Sequence, residues 1–455
     1  MPDNSFTNRF LRAVTMLLSL PIIQPVFAQQ ELLLHFSPEI WHSNATNPAF
    51  FPDEKKFVLG LPGQALDASH SGTITYGDVF INNGDRTLVD FGGIIDKLDP
   101  SNKIQFDQRT ETVSLGVRLP FKLALQAGHA IRFSGAAVYP KSLPQLLWNG
   151  NGPYIGEELA IAPSANLARF NEWSLGLSRK LGVVNVGARI KYLTGTNALS
   201  TDPVHSSASI YTSPDIYQLT LNTDYAFHSS SIITAFDTSG YGFDLQFGDF
   251  KAVAFTQNTG LAFDLGLHAK IGDRLSLDAS VLDIGGRITW DTDSDYYISQ
   301  GSYTYEGQVF PGVDIVNGAD NLDFETKLDS LNDIFKFNRT DASFETELPL
   351  RAYTGVSFDL TKKLALGVSG YLSDRPGVDN DTYALGASAR YQIIKPLSVA
   401  AMMSINQRKA ANLGLQIFLR PGPVQLYFTS DNLLSAFNPA NNPAVNFRFG
   451  AALAL

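Results

Sequence analysis

From residue 112 to 119 the chain alternates strictly: Val113, Leu115, Val117 and Leu119 are apolar, whereas Thr112, Ser114, Gly116 and Arg118 are small or polar. A period of two places the two sets on opposite faces of an extended strand. The same rule returns at 184–192, 261–267, 383–391, 413–419, with Phe418 out of step, and 445–455. Short turn signals separate such runs, among them Gly272-Asp273, Thr361-Lys362-Lys363, Lys395-Pro396 and Pro421-Gly422-Pro423. Strands joined so closely must pair as antiparallel hairpins.

Alternation also fits a soluble sandwich, so length has to decide. The runs are about 9 to 12 residues long, enough for a tilted strand to cross the hydrocarbon layer and longer than the usual ~5 to 6. On the order of 14 to 18 such strands would close around a lumen too wide for wall side chains to fill. The pattern therefore predicts an all-β fold: a single antiparallel transmembrane β-barrel of about 14 strands, with a short N-terminal plug-like segment and one or two loop helices. The polar faces carry Arg118, Arg189, Arg351, Arg390, Arg420 and Arg448 with Asp264, Asp278 and Asp359. They are expected to face the lumen, because an Arg facing lipid at mid-depth costs about 2 to 4 kcal/mol. Tyr192, Trp290, Tyr353, Tyr371, Tyr391 and Tyr427 are candidates for interfacial girdles.

Four stretches depart from this pattern. Arg9 and Arg12 precede an apolar run that ends in Val26-Phe27-Ala28, a signal peptide expected to be cleaved after Ala28. No apolar run of about 18 follows, which excludes helical spans. Residues 29–55, with the turn Asn47-Pro48-Ala49, are expected to fold into the lumen as a plug, and 56–455 to form the barrel. Residues 142–148 suit a short amphipathic helix stopped by Asn149-Gly150. Phe324, Leu328, Leu331 and Phe335 fall on one face of a helix that would line or lid the mouth.

Composition narrows the chemistry. The 37 Gly, 31 Phe and 17 Tyr beside 17% charged residues suit strands rather than helical bundles. A formal charge of -10 without a basic run leaves no footprint for nucleic acid. The absence of Cys removes disulfides and thiolate chemistry. The seven His show no metal-ligand spacing, and no nucleophile elbow or phosphate loop occurs, so neither an enzyme nor a cofactor is expected. His268 with Asp264 is the one pair that shares a strand face as a hydrolase would need. Asp291-Thr292-Asp293-Ser294-Asp295 begins like a calcium loop, yet Tyr296 and Ser302 stand where Gly and Glu belong.

Asn47-Pro48-Ala49, Leu59-Gly60-Leu61-Pro62, Tyr76-Gly77-Asp78-Val79-Phe80 and Tyr427-Phe428-Thr429-Ser430-Asp431-Asn432-Leu433 occur in this order along the chain. In them the chain resembles an uncharacterised outer-membrane barrel family of Bacteroidota with no known function. The Asn-Pro-Ala turn is also similar to that of the FadL-like fatty acid transporters and of the PorP/SprF-like proteins of type IX secretion and gliding. These resemblances imply a plugged barrel in the outer membrane of a Gram-negative bacterium, in contact with outer-membrane lipid. In one case it passes a hydrophobic or amphipathic small molecule. In the other it anchors secretion or surface-complex proteins.

Overall fold

Period-two strands close into a ring when one face can meet lipid and the other a shared interior. The computed structural model describes residues 31–52, 55–71, 74–75, 78, 80–83, 86–89, 91–231, 255–305, 335–375, 382–406, 411–433 and 444–455. The expected signal peptide lies outside the described residues, as do Phe324, Leu328 and Leu331 of the expected lid helix.

The strands are β1 (Phe57–His70), β2 (Phe80–Asn83), β3 (Arg86–Val89), β4 (Ser101–Leu119), β5 (Leu123–Pro140), β6 (Glu158–Ala160) and β7 (Ser164–Leu181). They continue with β8 (Val184–Thr212), β9 (Leu219–Ser230), β10 (Thr259–Ile271), β11 (Leu275–Trp290), β12 (Ser294–Tyr305), β13 (Asn338–Asp341) and β14 (Phe344–Glu347). The last are β15 (Leu350–Asp359), β16 (Leu364–Asp374), β17 (Thr382–Ile394), β18 (Leu397–Asn406), β19 (Ala411–Leu419), β20 (Val424–Ser430) and β21 (Ala444–Ala454). Short helices are α1 (Leu32–His35), α2 (Phe91–Lys97) and α3 (Ser142–Asn149). The last of these is stopped by Gly150 in the left-handed region, φ 71°.

Fourteen strands form the wall in the order β1, β4, β5, β7, β8, β10, β11, β15 to β21, and β21 pairs back onto β1 from Val58↔Ala454 to Ser69↔Ala444. Every wall pairing is antiparallel. The short connections, such as Gly182-Val183 and Lys395-Pro396, lie at one end with both ends of the barrel chain, where Lys56 N–H donates to the Leu455 carbonyl at 2.8 Å. Short turns mark the periplasmic end of such barrels.

At the far end the sheet rises beyond the wall. β8 pairs with β10 over Val184–Thr194 and then changes partner to β9 over Ala198–Thr212. β9 pairs with β12, and β12 with β13, which makes an outer sheet. Bulges break the alternation at several points, among them Thr112 in β4 and Asp283 in β11, which adopts φ 60°.

The faces sort as the pattern requires. Leu265 is 54% exposed on the outside, whereas its neighbour Asp264 is fully buried inside. Leu115, Leu177, Val368, Leu385 and Ile417 continue the outer apolar band. The girdle expectation needs correction: Tyr192 and Tyr391 are exposed, but Trp290, Tyr353, Tyr371 and Tyr427 are buried. Tyr353 lies two residues from Arg351 and so shares its inward face.

Candidate functional site: the plugged lumen

The N-terminal segment occupies the lumen, and polar groups on ten wall strands hold it. At its start the Leu32 and Leu33 amides donate to the Asp431 carboxylate, just beyond β20, at 2.7 and 3.2 Å. Ser37 Oγ donates to Gln416 of β19 at 2.6 Å, and Gln416 donates back to the Leu33 carbonyl. Glu39 pairs with Arg390 of β17 at 2.7 Å. Trp41 Nε1 donates to Ser114 of β4 at 2.7 Å, and its amide donates to Gln425 of β20 at 2.9 Å. His35 Nε2 lies 2.5 Å from Asp278 of β11. Glu31 pairs with Arg448 of β21.

The Asn-Pro-Ala turn forms the floor. Asn47 Oδ1 accepts from the Ala49 amide at 2.9 Å, which is the side-chain-closed turn that Asn favours, and its Nδ2 donates to the Leu267 carbonyl of β10 at 3.0 Å. Gln126 of β5 donates to the Pro48 and Phe50 carbonyls, and Asn185 of β8 to the Ala49 carbonyl. Glycines make room for it: a Cβ on Gly187 would run into the Pro48 and Ala49 backbone, and one on Gly266 into the Asn47 side chain. Arg118 seals the edge, donating to the Lys55 and Pro52 carbonyls with its guanidinium 4.9 Å from the centre of the Phe51 ring.

Above the plug a layer of paired charges crosses the lumen. Lys191 Nζ lies 2.6 Å from Asp283 and 2.7 Å from Asp264. Arg351 reaches Asp283 at 2.6 Å, and Arg132 bridges Asp283 and Glu172 at 3.1 and 2.8 Å. Arg109 links Glu172 to Glu111, and Arg448 links Glu111 to Glu31, so the chain of ion pairs ends on the plug itself. Arg189 joins from below, 3.4 Å from Asp264 and 2.8 Å from the Asn44 carbonyl. Isolated charges would be costly here; interleaved signs and multiple hydrogen bonds make burial tolerable. A cavity of about 60 Å³ bounded by Arg109, Arg132, Arg351, Arg375, Asp67 and Asp431 adjoins this layer. It is far smaller than the ~300 Å³ or more of usual ligand pockets. Phe170, Leu193, Ile288, Trp290 and Phe344 form an apolar cluster, with Trp290 Nε1 donating to Thr346.

Of the residues singled out from sequence, Asn47, Pro48, Ala49, Arg118, Arg189, Asp264, Arg351, Arg390 and Arg448 come together at the plug or in the charge layer. Arg420 is exposed at the short-turn mouth beside Arg390. Phe335 stacks on Phe337 against the apolar cluster of the outer sheet. Asp264 is engaged by Lys191 and Arg189, whereas His268 sits edge-on to Phe50, so the two do not form a catalytic couple. Asp295 of the calcium-like run pairs with Arg339 instead. Sequence reading missed Arg109, Glu111, Arg132, Glu172, Lys191 and Asp283. The bulges at Thr112 and Asp283 shift the parity beside two of them, and the others gain meaning only when distant strands converge.

The fold defines a transmembrane β-barrel whose interior holds its own N-terminal segment. The chain belongs to a family of unknown function, DUF5723, whose model matches residues 48–431. No curated protein matches it in sequence. Among solved structures it is similar to the toluene transporter TodX of Pseudomonas putida, at 11% identity over 91% of this chain and 94% of that one, TM-score 0.45. A FadL homologue of Pseudomonas aeruginosa gives 13% identity over 90% and 93%, TM-score 0.41.

Proposed function

We propose that the protein is an outer-membrane channel, closed at rest, that passes a hydrophobic or amphipathic solute passively when its N-terminal plug yields. The observation that carries this reading is the way the plug is held. Single hydrogen bonds and ion pairs tie it to many strands, and each can be exchanged for water as the segment shifts. Leu32, Leu33, Leu34, Ile40, Trp41 and Phe51 add apolar contacts with the wall, which need no fixed register as the segment shifts. The segment from 29 to 53 should therefore govern permeability. Uptake of hydrophobic and amphipathic solutes into proteoliposomes is expected to be slow with the intact barrel and to rise when these residues are removed. No solute passing in either form would remove the idea.

A second reading, an anchor for a surface or secretion complex, is favoured by the far tip. There Val204, Ile216 and Tyr217 are 75, 67 and 62% exposed although water surrounds them. Recovery under mild detergent decides between the two: a solitary barrel speaks against the anchor, and a stable co-purifying protein supports it.

A further inference from the structure

The chain carries a formal charge of -10, yet its short-turn rim is basic. Each turn there presents exposed cations: Lys122 after β4, Arg179 and Lys180 before the β7–β8 turn, and Lys270 and Arg274 around the β10–β11 turn. Lys362 and Lys363 follow β15, Lys395 follows β17 and Arg420 follows β19. Acids at the same turns are Asp273 and Asp359.

The same turns expose apolar side chains. Phe121 next to Lys122 is 83% exposed, Val183 57%, and Ile394 next to Lys395 55%; Ile271 and Leu360 add to the ring. These residues run on from the apolar band of the wall, so grease and positive charge meet at the level where a leaflet's tails give way to its head groups. A soluble acidic partner would account for the cations but not for Phe121 or Ile394.

A recess of about 250 Å³ between the turns after β15, β17 and β19 opens to the lumen rather than to the leaflet: Glu39 of the plug and the inward Arg390, Phe418 and Arg420 line it, with Lys362, Lys363 and Lys395 on its rim. Glu39 is already paired with Arg390. Backbone hydrogen bonds tie the turns together, Gln392 N–H to the Lys363 carbonyl at 2.8 Å and Arg420 N–H to the Pro396 carbonyl at 2.6 Å.

We infer that this collar of exposed turn cations binds the phosphate head groups of anionic phospholipid in the leaflet at the short-turn end. Basic side chains near an anionic membrane surface attract such lipid, and the attraction is screened by salt.

The test uses the full barrel extracted from mixed vesicles of phosphatidylglycerol and phosphatidylethanolamine, with retained lipid counted by native mass spectrometry. Phosphatidylglycerol should be retained preferentially, and the preference should fall roughly fivefold for each charge removed in the series K362Q, K363Q, K395Q. The pair R287Q and R339Q, at the far end, should leave it unchanged. Inorganic phosphate at millimolar concentration should not displace the lipid; full displacement would mean that the collar is a site for the free anion and would overturn the lipid assignment. Should these variants fail to fold, the wild-type preference must still fade as salt is raised. Equal retention of both lipids, or a preference indifferent to salt or to the turn charges, would overturn the proposal.

Discussion

Asp283 illustrates how much one side chain can hold. It accepts from Lys191, Arg132 and Arg351 while its own backbone sits in a left-handed conformation at a bulge. In Asp283→Asn three buried cations lose their shared anion, and breaking a buried pair costs about 3 to 5 kcal/mol. The folded barrel should accordingly lose its heat-resistant mobility on gels at a lower temperature than the wild type; an unchanged midpoint would show that the layer is not coupled to stability. The glycines of the floor make a different prediction. Gly187→Val or Gly266→Val should dislodge the Asn47–Ala49 turn while leaving the wall intact. The chain has no Cys, so a thiol introduced by Ala49→Cys reports this directly: labelling by a water-soluble reagent should speed up in either glycine variant. The inward direction of Arg189 and Arg351 was legible from alternation alone. What Asp283 and Glu172 do was not, because an ion-pair layer is a property of strands far apart in the chain, 151 residues for Arg132 and Asp283 and 337 for Glu111 and Arg448.

Among elements, the N-terminal segment and the outer sheet each carry polar clasps that can be removed one at a time. Asp431→Ala strips the Leu32 and Leu33 amides of their acceptor, and an orphaned buried donor costs about 1 to 3 kcal/mol. Hydrogen exchange at these two amides should become roughly tenfold faster, tenfold being 1.4 kcal/mol, with the wall amides unaffected. In the outer sheet, hydrogen bonds from Gln300 and His205 hold the Asp224 carboxyl below its ordinary range. A depressed carboxyl stabilises the fold above its unfolded value near pH 3.9, and that contribution disappears as pH falls through the lower folded value. The β8–β9–β12 clasp should thus survive mild acid and loosen below about pH 4, whereas Gln300→Leu should move the Asp224 titration upward. Nuclear magnetic resonance of the Asp224 carboxyl carbon against pH checks both. The wall strands and α3 could be read from periodicity and turn chemistry. The partner change of β8 could not, because its 29 residues read as strand whichever neighbour they meet.

For the whole molecule, closure rests on the seam where β21 pairs with β1 and Lys55 Nζ donates to the Ala454 carbonyl. A chain ending before Ala444 leaves two unpaired edges in the hydrocarbon layer, where each unsatisfied backbone group costs several kcal/mol. It should yield no compact heat-modifiable species, and a normal band from such a chain would show that β20 can close the ring. The same seam has a bearing on biogenesis. The stopper is synthesised first, but its docking wall is synthesised last: Leu32 waits for a carboxylate 399 positions downstream. No partly built sheet can seat it fully, so its docking is complete only once the final hairpin is in place. Cargo and container then mature in a single late event, and a barrel that shuts too early traps its cork outside.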